Sequence, residues 1–200
     1  MKEKLVYGLG INDSKCANTI PKGNTREYTI WQQMLFRCTE QGQAKNQSYT
    51  GCTVSDNFKS YTFFYEWCHK QFGFGNKDDN GKSWCLDKDI LVKGNKLYSE
   101  DTCVFVPHNI NSLFTRANKT RGRYCIGVSW LKNRSKFMAQ CANKYGKQIY
   151  LGVFDDEISA FQAYKSFKEG LIRQAAEGCR DKLDNRVYEA LVNYEVSSTD

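Results

Sequence analysis

The spacing of hydrophobic positions changes along this chain. Tyr28, Trp31, Met34/Leu35 and Cys38 recur at helical intervals, which predicts an amphipathic helix over residues 25–39. A polar loop over 41–48 follows, then a turn at Gly51 feeding a short extended piece through Cys52 and Val54. Asp56 or Asn57 is placed to cap a second helix with Phe58, Tyr61, Phe64/Tyr65, Cys68 and Phe72 along one side. Residues 73–82 read as a Gly/Asn/Asp loop. Beyond it come a strand through Asp87, a Gly94-Asn95 turn, a second strand around Cys103 to Val106, and a short helix behind Pro107. The first 25 residues are weakly patterned and read as an irregular arm.

From Tyr124 the period falls to two. Tyr124, Ile126, Val128 and Trp130 alternate with Cys125, Gly127 and Ser129; Phe137, Ala139 and Cys141 alternate with Lys136, Met138 and Gln140; Ile149, Leu151 and Val153 alternate with Tyr150 and Gly152. Polar turns at 133–135 and 143–147 separate these three strands. Asp155 then stands as the N-cap of a helix whose apolar stripe runs Ile158, Phe161, Tyr164, Phe167, Leu171. One helix laid across three strands covers one face of a sheet and leaves the other open.

Charge sharpens this picture. Residues 102–154 hold no Asp or Glu across 53 positions, yet carry nine cations: Arg116, Lys119, Arg121, Arg123, Lys132, Arg134, Lys136, Lys144 and Lys147. The chain is formally +7, and outside this window 20 basic face 22 acidic residues, so the window carries the whole excess. A long basic segment without counter-charge is the footprint of a phosphate-neutralising surface; a merely solvated basic face is the plainer alternative. With 40% apolar and 26% charged residues the composition is that of an ordinary globular protein, of one domain or two small ones. No run approaches the ~18 apolar residues of a membrane span, and the start, MKEKLVYGLGIND, has too short an apolar run for a secretory signal.

Nine cysteines stand at least 14 residues apart, so no CxxC pair marks a zinc ribbon, and zinc is not expected. A scattered site drawing on Cys38, Cys52, Cys68, His69 or Cys85 is weighed against buried, reduced thiols, and the odd count favours the thiols and a cytoplasmic location.

Two family resemblances follow from particular residues. The run Tyr124, Gly127-Val128, Lys136-Phe137-x-Ala139, Tyr150-Leu151-Gly152-x-Phe154-Asp155, Ala160-x-x-Ala163-Tyr164 resembles the plant APETALA-two/ethylene-response-factor DNA-binding domain. That resemblance implies a three-stranded antiparallel sheet over 124–154 and a helix over 155–176, with the sheet in the major groove of double-stranded DNA. Carried over by position, Ser129, Gln140, Gln148 and Tyr150 face the bases, with Arg121, Arg123, Lys132, Arg134, Lys136 and Lys147 as basic companions. Several arginines that read guanine in the plant domains are short or neutral residues here, which bears on sequence preference more than on binding.

Upstream, Tyr49-x-Gly51-Cys52-x-Val54, Phe58, Phe64, Trp67, Leu86-Asp87, the Gly94-Asn95 turn, Tyr98 and Cys103 with its aromatic neighbour resemble the His-Asn-His (HNH) endonuclease module in its phage, homing-type form. The resemblance implies a ββα unit holding one divalent metal, Mg or Mn, through Asp87, His108 and Asn111, with Asp87, His108 and Lys88 at the catalytic positions. The motif is degenerate: Lys88 stands where the general-base histidine is expected, and Thr102 where the middle Asn is expected. A lysine serves as base near neutral pH only if its pKa falls by roughly three units.

The expected fold is therefore α+β: an HNH-like ββα-metal domain with a helical leader over 1–116, then an APETALA-two-like domain over 117–200. Two functions stay open. One is a metal-dependent DNA-nicking or DNA-cleaving endonuclease, located in the cytoplasm of an infected bacterial cell. The other is a non-catalytic DNA-binding protein: a decayed nuclease, a phage regulator, or an anti-defence factor with a host protein as partner. Neither calls for a membrane or a small-molecule cofactor.

Overall fold

The computed structural model describes residues 5–14, 25–114, 123–143, 145–198 and 200. It is an α+β structure with seven α-helices and a three-stranded antiparallel sheet among the described residues. The chain divides into two compact units, Met1–Pro107 and His108–Asp200. The division falls earlier than the 116/117 boundary expected from sequence: the helix behind Pro107 belongs to the second unit, where Phe114 packs on Tyr194 with ring centroids 4.9 Å apart. No described helix is long and apolar enough to cross a membrane.

In the first unit, helix α1 (Arg26–Arg37) starts where Thr25 accepts a hydrogen bond from the Tyr28 amide, and it buries Trp31, Met34 and Leu35. A short helix, α2 (Glu40–Lys45), replaces the polar loop expected over 41–48; Thr39 caps it, and its Gln43 side chain donates to the Cys52 carbonyl and accepts from the Gly51 amide. Strand β1 (Thr53–Val54) comes next. The single helix expected from Asp56 or Asn57 is two, α3 (Asp56–Lys59) and α4 (Tyr61–Lys70), capped by Ser55 and Ser60. The break has a partner. Ile11 of the N-terminal arm donates to the Lys59 carbonyl and accepts from the Tyr61 amide, while Asp13 accepts from Ser60 Oγ and the Thr62 amide. Backbone groups released at the break are thereby satisfied. Strand β2 (Cys85–Asp87), β3 (Leu97–Tyr98) and β4 (Val104–Val106) follow; β1 pairs with β3 in parallel and β2 with β4 antiparallel. Phe58, Phe64, Trp67, Phe74 and Phe105 form the aromatic core.

The second unit opens with α5 (His108–Ser112). The sheet is a meander of β5 (Val128–Leu131), β6 (Lys136–Ala142) and β7 (Gln148–Phe154), with β6 in the middle. The strand expected from Tyr124 begins only at Val128, because residues 125–128 turn, with the Val128 amide bonded to the Cys125 carbonyl. Gly127 makes that turn at φ +76°, and a Cβ there would lie 1.9 Å from Cδ2 of Tyr164. Helix α6 (Glu157–Glu177) covers one sheet face with Ala160, Tyr164, Leu171, Ile172 and Ala176 buried. Its cap is Asp156, which accepts from the Ser159 amide, and not Asp155. Helix α7 (Asn185–Val192), capped by Asp184, buries Val187 and Leu191. The chain end then returns to the sheet: Val196 joins Cys141 and Tyr164 in the core, and the Ile126 amide donates to the Ser198 carbonyl.

Candidate nucleic-acid interface and the expected metal site

Side chains alternate across a strand, so the two buried residues of β6, Ala139 and Cys141, fix the faces. Through the register, Val128, Trp130, Phe137, Ile149 and Gly152 share the covered face. Ser129 lies opposite Met138 and Met138 opposite Val153; Gln140 lies opposite Tyr150, and Ala142 opposite Gln148. These residues form the open face.

A bulge makes that arrangement possible. Ala139 pairs with Gly152 and Gln140 with Tyr150, so Leu151 is left over on β7. Strict alternation along β7 put Val153 with Ile149 and Leu151 on the core side and Gly152 with Tyr150 on the other. The bulge exchanges Val153 and Gly152, and Gly152 takes φ +137°, a conformation that disfavours a side chain. Tyr150 and Gln148 stay beside Gln140 on the open face. The four residues expected to face bases, Ser129, Gln140, Gln148 and Tyr150, therefore share one surface. Gln148 and Tyr150 are exposed, Gln140 is half-buried, and the Ser129 hydroxyl is out of solvent without a hydrogen-bond partner.

The cations flank this face. Lys132 and Arg134 are exposed in the β5–β6 turn, which Ser135 closes at φ +48°. Lys147 is exposed in the β6–β7 turn, at the other end of β6. Seven strand residues put the two turns roughly 20 Å apart. Lys136 is committed elsewhere: its Nζ lies 2.7 Å from Asp155 Oδ1, so the acid just beyond the acid-free window neutralises one of the window's cations. Arg123 is exposed, with its guanidinium 4.9 Å from the Tyr124 ring centroid and donating to the Tyr124 hydroxyl at 2.7 Å. Arg121 lies outside the described residues.

The expected metal residues are placed differently. Asp87 ends β2, and its Oδ1 accepts from the Asp89 amide at 2.9 Å and the Ile90 amide at 2.8 Å, an aspartate turn that shapes the loop after the strand. Burial, then the neighbouring Asp89 charge, push its carboxyl up to about 6, against the opposing pull of the two amides and Lys88. Lys88 is buried, with Nζ 3.2 Å from Asp89 Oδ2 and 5.7 Å from the Tyr98 ring centroid. Asn95 donates to its carbonyl at 2.7 Å. Thr102 hydrogen-bonds the Leu97 carbonyl and the Ser99 hydroxyl, a turn-closing role. His108 is exposed and Asn111 half-buried on α5, in the second unit, whereas Asp87 and Lys88 belong to the first. Among the described residues no group of three or more His, Cys, Asp or Glu could hold a metal ion. Asp87 and Asp89 are adjoining carboxylates without a third such ligand among the described residues. Burial pushes the Cys38 thiol up to about 12 and raises Cys52, Cys68 and Cys85.

Sequence reasoning missed two partnerships, neither with a local sign: a buried Glu27 holds His69 Nε2 at 2.9 Å, and Arg37 reaches the Tyr98 hydroxyl at 3.4 Å. The turn expected over 143–147 is organised by the Asn143 side chain, which accepts from the Tyr145 and Lys147 amides.

Asp87 yields a stability prediction. An unfolded aspartate titrates near 3.9, so between about 4 and about 6 the folded chain keeps a proton that the unfolded chain has lost. Stability from this proton is full below about pH 4 and is lost as pH rises through about 6. Asp87→Asn keeps an acceptor for the two amides without the charge. It is expected to stabilise the protein by up to about 3 kcal/mol at pH 8 and to make little difference near pH 4, read by urea unfolding. Destabilisation at pH 8 would mean that the charge itself is needed.

Comparison with protein-family models, curated proteins and solved structures finds no match to this chain.

Proposed function

We propose that the second unit binds double-stranded DNA through the open face of its β5–β6–β7 sheet. The observation that carries this reading is the shared placement of Ser129, Gln140, Gln148 and Tyr150 opposite the helix-covered face, between exposed basic turns. Three strands about 4.8 Å apart span about 10 Å between outer backbones, a width compatible with the ~12 Å major groove. The Gln140 and Gln148 amides and the Tyr150 hydroxyl present both donors and acceptors to base edges, and Lys132, Arg134 and Lys147 reach towards phosphates. The APETALA-two resemblance supports the same use of the sheet. Phosphate contacts supply affinity, and the scarcity of charged bidentate readers on the face gives modest sequence discrimination.

The test removes cations while leaving the face intact. Each phosphate contact contributes about 0.9 decade of affinity per decade of salt, or about eightfold at ~0.1 M relative to ~1 M. The double variant Lys132→Ala/Arg134→Ala is expected to weaken binding to a fluorescein-labelled duplex by about 60-fold at ~0.1 M salt. Gln162→Ala, on an exposed position of α6, should stay within about twofold of the native protein. Equal affinity for the double variant and the native chain would sink the proposal.

A second reading, a metal-dependent endonuclease, rests on the HNH resemblance of the segment that carries Asp87 in the β2–β4 pair. Nicking of supercoiled plasmid with Mg²⁺ or Mn²⁺ that disappears in Asp87→Ala would support it. Plasmid left intact with both ions would favour the non-catalytic DNA-binding protein.

A further inference from the structure

The open face of the sheet is polar over only half of its length. Gln140, Tyr150 and Gln148 lie towards its β6–β7 end. Towards the β5–β6 turn the same face is apolar. Met138, on the middle strand, stands opposite Ser129 on one side and Val153 on the other, and Leu131 stands opposite Lys136. The polar groups of this half are withdrawn: the Ser129 hydroxyl is out of solvent without a hydrogen-bond partner, and the Lys136 ammonium is held by Asp155 at 2.7 Å. Leu131, Met138 and Val153 are half-buried, each with part of its surface uncovered. Met138 belongs to the strand bonded along both edges, which fixes the point from which its side chain leaves the sheet. A methionine needs no preset rotamer, because its flexible thioether settles against the apolar group that meets it.

An apolar strip suits either an apolar partner or the apolar features of DNA, and its surroundings decide. The turn beside it carries exposed Lys132 and Arg134, and no acid occurs from residue 102 to residue 154, a setting that attracts phosphate. Among its donors and acceptors the major groove offers one kind of apolar group, the methyl at C5 of thymine. A 5-methylated cytosine carries the same group at the same ring position. We infer that Met138, with Leu131 and Val153 beside it, packs on pyrimidine 5-methyl groups, so that the protein favours duplexes carrying them over the same duplexes without them. This inference rests on the DNA-binding reading and names a base feature that the sheet recognises.

The experiment measures fluorescence anisotropy of the full-length protein with two pairs of labelled duplexes. One sequence carries thymine or deoxyuridine throughout; a second, G·C-rich sequence carries cytosine or 5-methylcytosine. The members of each pair differ only in the methyl. The methylated member should bind about fourfold more tightly for each methyl removed from water. That ratio should hold across a salt series in which both affinities fall, since a methyl releases no counterions. Met138→Leu should keep the ratio. Met138→Gln, similar in length but polar, should bring it close to unity, and Leu131→Gln, on an edge strand, should lower it as well, with circular dichroism confirming the fold of each. A preference within one pair alone that these polar variants remove supports the role and identifies the pyrimidine. Equal affinities within both pairs for the native protein, or a preference that both polar variants leave unchanged, overturn the methyl-packing role while leaving duplex binding in place. Binding to no duplex at low salt overturns that role and the DNA-binding reading together.

Discussion

Gly127→Ala is expected to destabilise the second unit by about 3 kcal/mol or more. Two costs add. The residue sits at φ +76°, where an L side chain costs roughly 1–2 kcal/mol. The new methyl would also lie 1.9 Å from Cδ2 of Tyr164 and 2.4 Å from Cγ, so the ring, itself buried against Cys141 and Val196, must move. Overpacking of this kind costs about 1–3 kcal/mol. Against a typical domain stability of about 5–15 kcal/mol, such a loss lowers the denaturation midpoint visibly. Urea unfolding followed by circular dichroism measures it. A change below about 1 kcal/mol would mean that Tyr164 repacks freely and that the turn at Gly127 is not fixed by the helix.

That turn also marks where the sequence ceased to be legible. The period-2 runs disclosed three strands because one face of each meets the same helix, and Phe137, Ala139 and Cys141 could not alternate otherwise. What the runs cannot disclose is a change of parity. The bulge at Leu151 lies in the pairing of β7 with β6, and its one local sign is Gly152 inside the run, which does not by itself tell that Gly152 and Val153 exchange faces. The break between α3 and α4 was hidden for a related reason. Phe58, Tyr61 and Phe64 continue one apolar stripe, and the partners that stabilise the break, Ile11 and Asp13, lie far upstream. Asp155 and Asp156 were interchangeable as caps until Lys136 drew Asp155 to the sheet.

Asp87 shows the limit for candidate chemistry. A strand-ending aspartate is what both a metal ligand and a turn aspartate look like in one dimension. The amides of Asp89 and Ile90 show that the turn role is occupied. The degenerate neighbours agree with structural work, Lys88 being paired with Asp89 and Thr102 closing a turn on the Leu97 carbonyl. The open sheet face was more legible because its chemistry is distributed: a run without acids and a set of small and amide side chains at alternate positions survive the loss of any one assignment.

The other large expected effect follows from that distributed charge. Nine cations lie in the acid-free window, and with Lys136 tied to Asp155 an engagement of about five with phosphates is the expected load. Each releases counterions, so the slope of log K against log salt should be about −4.5. Between ~50 and ~200 mM salt, affinity for duplex DNA should then fall about 500-fold. A folded protein that binds by a neutral apolar patch would show almost none of this, and one that binds by a single ion pair would lose only about threefold to fourfold. The decisive measurement is a salt series of duplex binding by the intact chain over that range. A slope near −4.5, reduced by about 2 in Lys132→Ala/Arg134→Ala, is the predicted result; a slope near zero would contradict the assignment of this basic, strand-rich unit to DNA.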